Sequence, residues 1–286
     1  MLSSSRSRVV IAVSALAAFL LVVPAVPALA VSTRNHDPNN YLALGDSVPF
    51  GFSPLLAHRG VSPDVFVGYP QLASDLFRPR LKLFNASCPG ETSTSLITGT
   101  RPDNGCQDYR QFIGALHVSY SGSQLSYAES YVAMNPRTKM VTMMIGANDL
   151  FLLLDNCAGS PDPTCFADGF TALLNTLAKN LTTIYTDLRQ SGFSGTFVAV
   201  TYYSLNYADP GGTGVVRALD STLGSVTRAF GGKGADGFGE FQAAAASFGG
   251  DSCAAGLLIR VSPTMCDVHP TQKGAALLAD AVARAS

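Results

Sequence analysis

The chain is poor in charge. Asp, Glu, Lys and Arg make up only 14% of its 286 residues, against 47% hydrophobic, and the formal net charge is −1. That balance excludes a self-repelling disordered chain. It also offers no basic surface to grip phosphates, so no nucleic-acid partner is expected. There is no collagen-like repeat and no heptad run, which removes the fibrous classes. No internal repeat or linker interrupts the chain, so its length points to one large domain.

No Cys-x-x-Cys pair occurs, which disfavours a zinc ribbon or a thioredoxin-like redox site. The six cysteines, Cys88, Cys106, Cys157, Cys165, Cys253 and Cys266, are an even set, as a disulfide framework in an exported chain requires. Of the fifteen possible pairings, the nearest-neighbour set is expected: Cys88–Cys106, Cys157–Cys165 and Cys253–Cys266. Each would clip a loop rich in Gly, Pro or Asp.

Export is read from the N-terminus. Arg6 and Arg8 precede an apolar run over 9–23, broken only by Ser14; Pro24, Pro27 and Ala28-Leu29-Ala30 follow. This is the pattern of a signal peptide over 1–30 with an A-x-A cleavage site, leaving a mature domain over 31–286. The apolar run is short for a spanning helix, and Ser7 between the arginines excludes a twin-arginine signal. No later segment is apolar enough to cross a membrane. A secreted protein, monomeric by default, is expected.

Strands are predicted over 41–44, 81–86, 139–145 and 195–202, with a last one over 257–261. Helices are predicted over 69–77, 123–134, 170–188 and 215–230, and after Thr271, with loops over 87–122 and 231–239. The clearest helix carries Phe170, Leu173, Leu174, Leu177, Leu181, Ile184 and Leu188 at steps of three and four. Alternating strands and helices argue for an α/β domain with a mostly parallel sheet covered on both faces. In such sheets sites form at the carboxyl ends of strands.

Polar residues gather at those ends. Gly45-Asp46-Ser47 follows the first predicted strand, Cys88-Pro89-Gly90-Glu91 the second and Gly146-Ala147-Asn148-Asp149 the third. Asp267-Val268-His269-Pro270 stands near the C-terminus. Singly each is weak: Gly-Asp-Ser recurs at Gly250-Asp251-Ser252, after no convincing strand. Together and in this order the four blocks resemble the SGNH, or GDSL, hydrolase superfamily, and the resemblance spans nearly the whole mature chain.

The resemblance implies a three-layer α/β/α sandwich. It also implies a secreted or periplasmic esterase, lipase or carbohydrate deacetylase that acts on an ester substrate without metal or organic cofactor. Ser47 matches the nucleophile, His269 the general base, and Gly90 and Asn148 the oxyanion-hole donors, with the N–H of Ser47 as a third. These residue types suit the chemistry. A serine hydroxyl needs a base to become nucleophilic, imidazole titrates near neutrality, glycine lets backbone approach a substrate, and asparagine donates without carrying charge. There is no G-x-S-x-G elbow, so the common α/β-hydrolase layout is a poor match.

One position departs from the pattern. The family's acid lies three residues before its histidine, where this chain has Cys266; Asp267 lies two before. Two arrangements stay open: Asp267 orients His269, or a backbone carbonyl near Cys266 does. Lesser expectations are that Asp46 and Asp149 fix loops and that His36, His58 and His117 lie on the surface or in loops. Asn85-Ala86-Ser87 and Asn180-Leu181-Thr182 match the glycosylation pattern. Some of Phe50, Phe52, Phe151, Tyr202, Tyr203 and Tyr207 are candidates to line a pocket, and the leucine-rich stretch 150–154 tilts the substrate towards apolar acyl groups.

Overall fold

A computed structural model describes residues 39–286. The leader, its cleavage site and His36 lie outside the described residues. The first half of the domain contains β1 (Asn40–Gly45), α1 (Ser47–Phe50), α2 (Tyr69–Leu76), β2 (Lys82–Asn85), α3 (Ser93–Thr98), α4 (Cys106–Asp108), α5 (Gln124–Met134) and β3 (Thr138–Met144). The second half contains α6 (Ala147–Cys157), α7 (Cys165–Gln190), β4 (Thr196–Val200), α8 (Pro210–Ala229), β5 (Lys233–Ala235), α9 (Gly237–Ala245), β6 (Leu258–Ser262), β7 (Met265–Pro270) and α10 (Gln272–Ala285).

Five strands form one parallel sheet in the order β2-β1-β3-β4-β5. Side chains alternate between its faces, as strand geometry demands. Tyr41, Ala43, Met140, Val198 and Val200 pack with residues of α2, α9 and α10. Leu42, Leu44, Val141, Met143, Phe197 and Ala199 pack with residues of α5, α7 and α8. The central strands β1, β3 and β4 are therefore apolar on both sides, which is why these segments read as unbroken hydrophobic runs. The result is a three-layer α/β/α sandwich. The chain leaves β1 for β2 on one side and returns to β3 on the other, so the crevice at their carboxyl ends is a switch point suited to a site. Among the described residues no helix is long and apolar enough to cross a membrane.

One expectation is corrected. Residues 231–239 are not all loop: Lys233–Ala235 is the edge strand β5, and α9 begins at Gly237. Glycines hide this strand from a reading of side chains. One of them, Gly232, lies so close to β4 that a Cβ there would stand 2.7 Å from the Phe197 carbonyl oxygen. The last predicted strand is present as β6, and it does not extend the sheet. It pairs antiparallel with β7, so Asp267 and His269 sit on a hairpin strand and not in a loop. Cys253–Cys266 ties that hairpin to the preceding segment; Cys88–Cys106 and Cys157–Cys165 complete the three disulfides.

The two Gly-Asp-Ser copies separate cleanly. Ser252 is fully buried and donates to the Ser204 carbonyl at 2.7 Å, a packing role. Neither glycosylation-pattern asparagine is free: Asn85 is buried and donates to the Pro49 carbonyl, and Asn180 donates to the hydroxyls of Ser93 and Thr94. His117 is not a bare surface residue. It packs on the Phe50 ring and its Nε2 lies 2.9 Å from the Phe50 carbonyl oxygen, at the end of α1.

Candidate active site

Ser47 is positioned by the end of β1. Gly45 has φ +135°, and a Cβ there would stand 2.0 Å from the Met144 carbonyl oxygen on β3, so only glycine fits. The chain then turns into the single-turn helix α1, whose first residue is Ser47. Asp46 caps it: one carboxylate oxygen accepts the Val48 N–H at 2.9 Å, and the other accepts the Tyr202 hydroxyl. Burial pushes the Asp46 carboxyl up to about 6, against the pull of the Tyr202 hydrogen bond. Asp46 thus fixes the turn.

Gly90 follows β2 in a loop closed by Cys88–Cys106. It too is left-handed, with φ +82°, and a Cβ would stand 2.3 Å from the Asn104 carbonyl oxygen. The Gly90 carbonyl accepts the Asn104 N–H at 2.8 Å, and the Cys88 N–H donates to the Gly45 carbonyl, tying this loop to the end of β1.

Asn148 stands in the first turn of α6, after β3. Its side-chain oxygen accepts from the Asn104 amide at 2.9 Å, and its own NH2 donates to the Glu91 carbonyl at 2.9 Å. One N–H of that group is then left to donate elsewhere. Its neighbour Asp149 accepts from the backbone and hydroxyl of Ser93, joining α6 to α3, and burial raises its carboxyl.

His269 projects from β7. Asp267 accepts from the His269 backbone N–H at 3.0 Å, and the same carboxylate oxygen contacts Nδ1 of the ring. Of the two arrangements left open by the sequence, the carboxylate is the group on Nδ1. Burial raises the Asp267 carboxyl, but the hydrogen bonds and charge of His269 outweigh it and hold it below its ordinary value. An acceptor at Nδ1 places the proton there and leaves Nε2 as the basic nitrogen. The Phe52 ring packs at 5.0 Å against the imidazole, and the Tyr203 hydroxyl donates to the Val268 carbonyl at 2.7 Å.

Ser47, Gly90, Asn148 and His269 line one cleft of about 280 Å³, together with Phe52, Asn104 and Phe151. A second, larger pocket of about 350 Å³ opens beside Ser47, Asn148 and His269 and runs between α6 and α8. Of the candidate pocket aromatics, Phe151, Tyr202 and Tyr203 line it; Phe50 is core, and Tyr207 packs on Phe238. The only cluster of metal-ligating types among the described residues is Cys88, Glu91 and Cys106, and its two sulfurs are joined in a disulfide, so it has no thiolate to offer.

Two residues of the network carry no signal in the sequence: Asn104 and Gln124. Gln124 accepts from the Gly45 N–H at 2.6 Å and donates to the Gly45 carbonyl at 3.0 Å and to Glu91 at 3.1 Å. Burial raises the Glu91 carboxyl to about 7, despite hydrogen bonds from Ser95 and Gln124.

No protein-family model and no curated protein matches the chain. Solved structures do. A phospholipase A1 from Streptomyces albidoflavus is 18% identical, with a TM-score of 0.54 over 87% of this chain and 100% of that one. A GDSL-like lipase from Parabacteroides merdae is 14% identical, with a TM-score of 0.54 over 87% of this chain and 95% of that one. An acetylxylan esterase from Geobacillus stearothermophilus is 15% identical, with a TM-score of 0.52 over 86% of this chain and 93% of that one. At such identities the likeness is one of fold, shared with this phospholipase, this GDSL-like lipase and this acetylxylan esterase.

Proposed function

We propose that the chain is an exported serine hydrolase of the SGNH/GDSL type that cleaves carboxylic esters through an acyl-enzyme on Ser47. The observation that carries this reading is the meeting of Ser47, Gly90, Asn148 and His269 in one cleft, from four different elements of the chain. The leader and the three disulfides support export.

His269 Nε2 takes the proton from the Ser47 hydroxyl as its oxygen attacks the ester carbonyl carbon. The carbonyl oxygen gains the negative charge and is held by the N–H groups of Ser47 and Gly90 and by the free N–H of Asn148. The tetrahedral species collapses, the carbon–oxygen bond to the alcohol breaks, and His269 returns its proton to the leaving oxygen. Water then attacks the acyl-enzyme by the same route and releases the acid. Asp267 holds the imidazole in the tautomer this requires and stabilises its charge when protonated.

An acetyl-removing enzyme on a polysaccharide uses the same residues and differs only in what lies beside them. An inactive binding module is disfavoured by the carboxylate on Nδ1, since the Cys266 departure leaves His269 with an acid partner. The test is hydrolysis of p-nitrophenyl esters with covalent labelling by a fluorophosphonate. Ser47→Ala abolishes both; a Ser47→Ala protein that hydrolyses esters at the wild-type rate overturns the reading.

A further inference from the structure

The larger pocket is lined mainly by apolar side chains. It has room for about 350 Å³ beside Ser47 and lies between Leu150 and Leu154 of α6, Phe166 of α7, and Val215 and Leu219 of α8. The Cys157–Cys165 disulfide sets the start of α7, and so Phe166, against this wall. Apart from the free N–H of Asn148, the buried polar groups around the pocket are already engaged. Asp46 and Tyr202 bond each other, the Tyr203 hydroxyl bonds the Val268 carbonyl, and the Ser204 hydroxyl bonds the Asn206 carbonyl. A sugar ring brought here would lose its hydration with few partners to replace it. A hydrocarbon chain loses nothing and gains the burial of each methylene.

We propose that this pocket holds the acyl chain, and that the substrates are esters of medium-chain fatty acids, not acetyl esters. The proposal rests on Ser47 being the nucleophile. A methylene occupies about the room of a water molecule in the liquid, on the order of 30 Å³, so the pocket takes roughly ten carbons. The acyl side is assigned because the acyl group stays on Ser47 through both half-reactions and benefits from an apolar-lined site. The alcohol must leave and water must enter, and the smaller cleft with Asn104 and Gly105 suits that exchange.

The experiment is kcat/KM for p-nitrophenyl esters from acetate to palmitate, below their micelle concentrations, with wild type, Ser47→Ala, Val215→Phe and Leu154→Trp. A parallel series of acetate esters varies the alcohol length. Each buried methylene is worth up to about fourfold, or 0.8 kcal/mol. The expected result is a Ser47-dependent optimum at eight to twelve carbons, at least about a hundredfold above acetate. Val215→Phe lowers the ratio of decanoate to acetate at least tenfold. Leu154→Trp, at a position 44% exposed in the pocket wall, lowers it without touching the core. Ser47-dependent activity that is highest on acetate, or that grows with alcohol length instead, overturns the acyl-pocket assignment alone. Activity independent of Ser47 overturns the serine-hydrolase reading beneath it.

Discussion

The Gln124 side chain holds Gly45 by both of its backbone groups, accepting the N–H at 2.6 Å and donating to the carbonyl at 3.0 Å. Gly45 stands two residues before Ser47, and Gln124 also donates to Glu91, whose backbone carbonyl accepts the Asn148 amide. A single buried chain of hydrogen bonds therefore runs from the segment carrying Ser47, the proposed nucleophile, to Asn148, a proposed donor of the oxyanion hole. Buried networks of this kind hold geometry only while every member is satisfied.

In the proposed mechanism Glu91 is accordingly a positioning residue. It is buried and lines neither pocket, yet the segment it anchors carries Gly90 on one side and meets Asn148 on the other. Loss of one oxyanion donor costs about a hundredfold to a thousandfold in rate. Glu91→Ala, which frees this segment without deleting a donor, is expected to lower kcat by about tenfold to a hundredfold with little change in KM. Glu91→Gln keeps the side chain's hydrogen-bonding reach and should restore most of the loss. A fall in KM affinity and stability with kcat intact would show a merely structural role.

Asp267 makes a sharper prediction. In a full triad, loss of the acid's charge costs on the order of ten thousandfold. Here Asp267 is partly open to solvent, with 27% of its side chain exposed, so water can replace part of its effect. Asp267→Asn is expected to lower kcat/KM by about a hundredfold to a thousandfold. The Asp267 carboxyl lies below its ordinary value in the fold, so its contribution to stability is present above the unfolded pKa and fades as pH falls through the folded one. Asp267→Asn should therefore lower Tm at pH 6 and lose that difference under strongly acidic conditions. Loss of no more than tenfold in kcat/KM would place the support of His269 elsewhere.

The strands that carry Ser47, Gly90 and Asn148 were legible because apolar runs bounded by glycine, proline and asparagine mark buried parallel strands. The hairpin was not: β6 alone looks like one more sheet strand, and its partner β7 holds too many polar residues to read as a strand. The identity of the group behind His269 depends on the bend of that hairpin, which no local pattern encodes. Gln124 lies 79 residues from Gly45, and its role arises only when α5 packs beside the end of β1. Asp209 caps α8 through Gly211 and Gly212, so two poor helix formers open a long helix that side-chain periodicity starts later.

The disulfide at the hairpin gives a third test. Cys253 and Cys266 are separated by 13 residues, and a closed loop of that size is worth about 3 kcal/mol through the unfolded chain. Cys266 is also the neighbour of Asp267. Replacing both cysteines by serine should lower Tm and, in protein still folded at 25 °C, lower kcat more than the Glu91→Gln change does. The same pair of substitutions at Cys157 and Cys165, remote from His269, should act on the chain-length preference instead of on the rate with short esters.

The last prediction concerns pH and stability. Asp220 on α8 accepts the Tyr202 N–H at 2.7 Å through one carboxylate oxygen, while the other is buried with no partner. Burial is the main cause that raises its carboxyl to about 8. A carboxyl with a folded pKa above its unfolded one binds a proton in the native state that the unfolded chain has already lost. Its stabilising effect is fully present below the unfolded pKa and disappears as pH rises through about 8. Glu91, raised to about 7, acts in the same direction. His117 opposes them at the acid end, because burial lowers its pKa and its protonation then disfavours the fold. Stability should thus fall between pH 6 and 8, by about 2 kcal/mol from Asp220. Asp220→Asn keeps an acceptor for Tyr202 and cannot ionise, so urea denaturation at the two pH values should show a markedly smaller drop. An equal drop in the variant and the wild type would mean that Asp220 ionises freely in the fold, with water reaching its second oxygen.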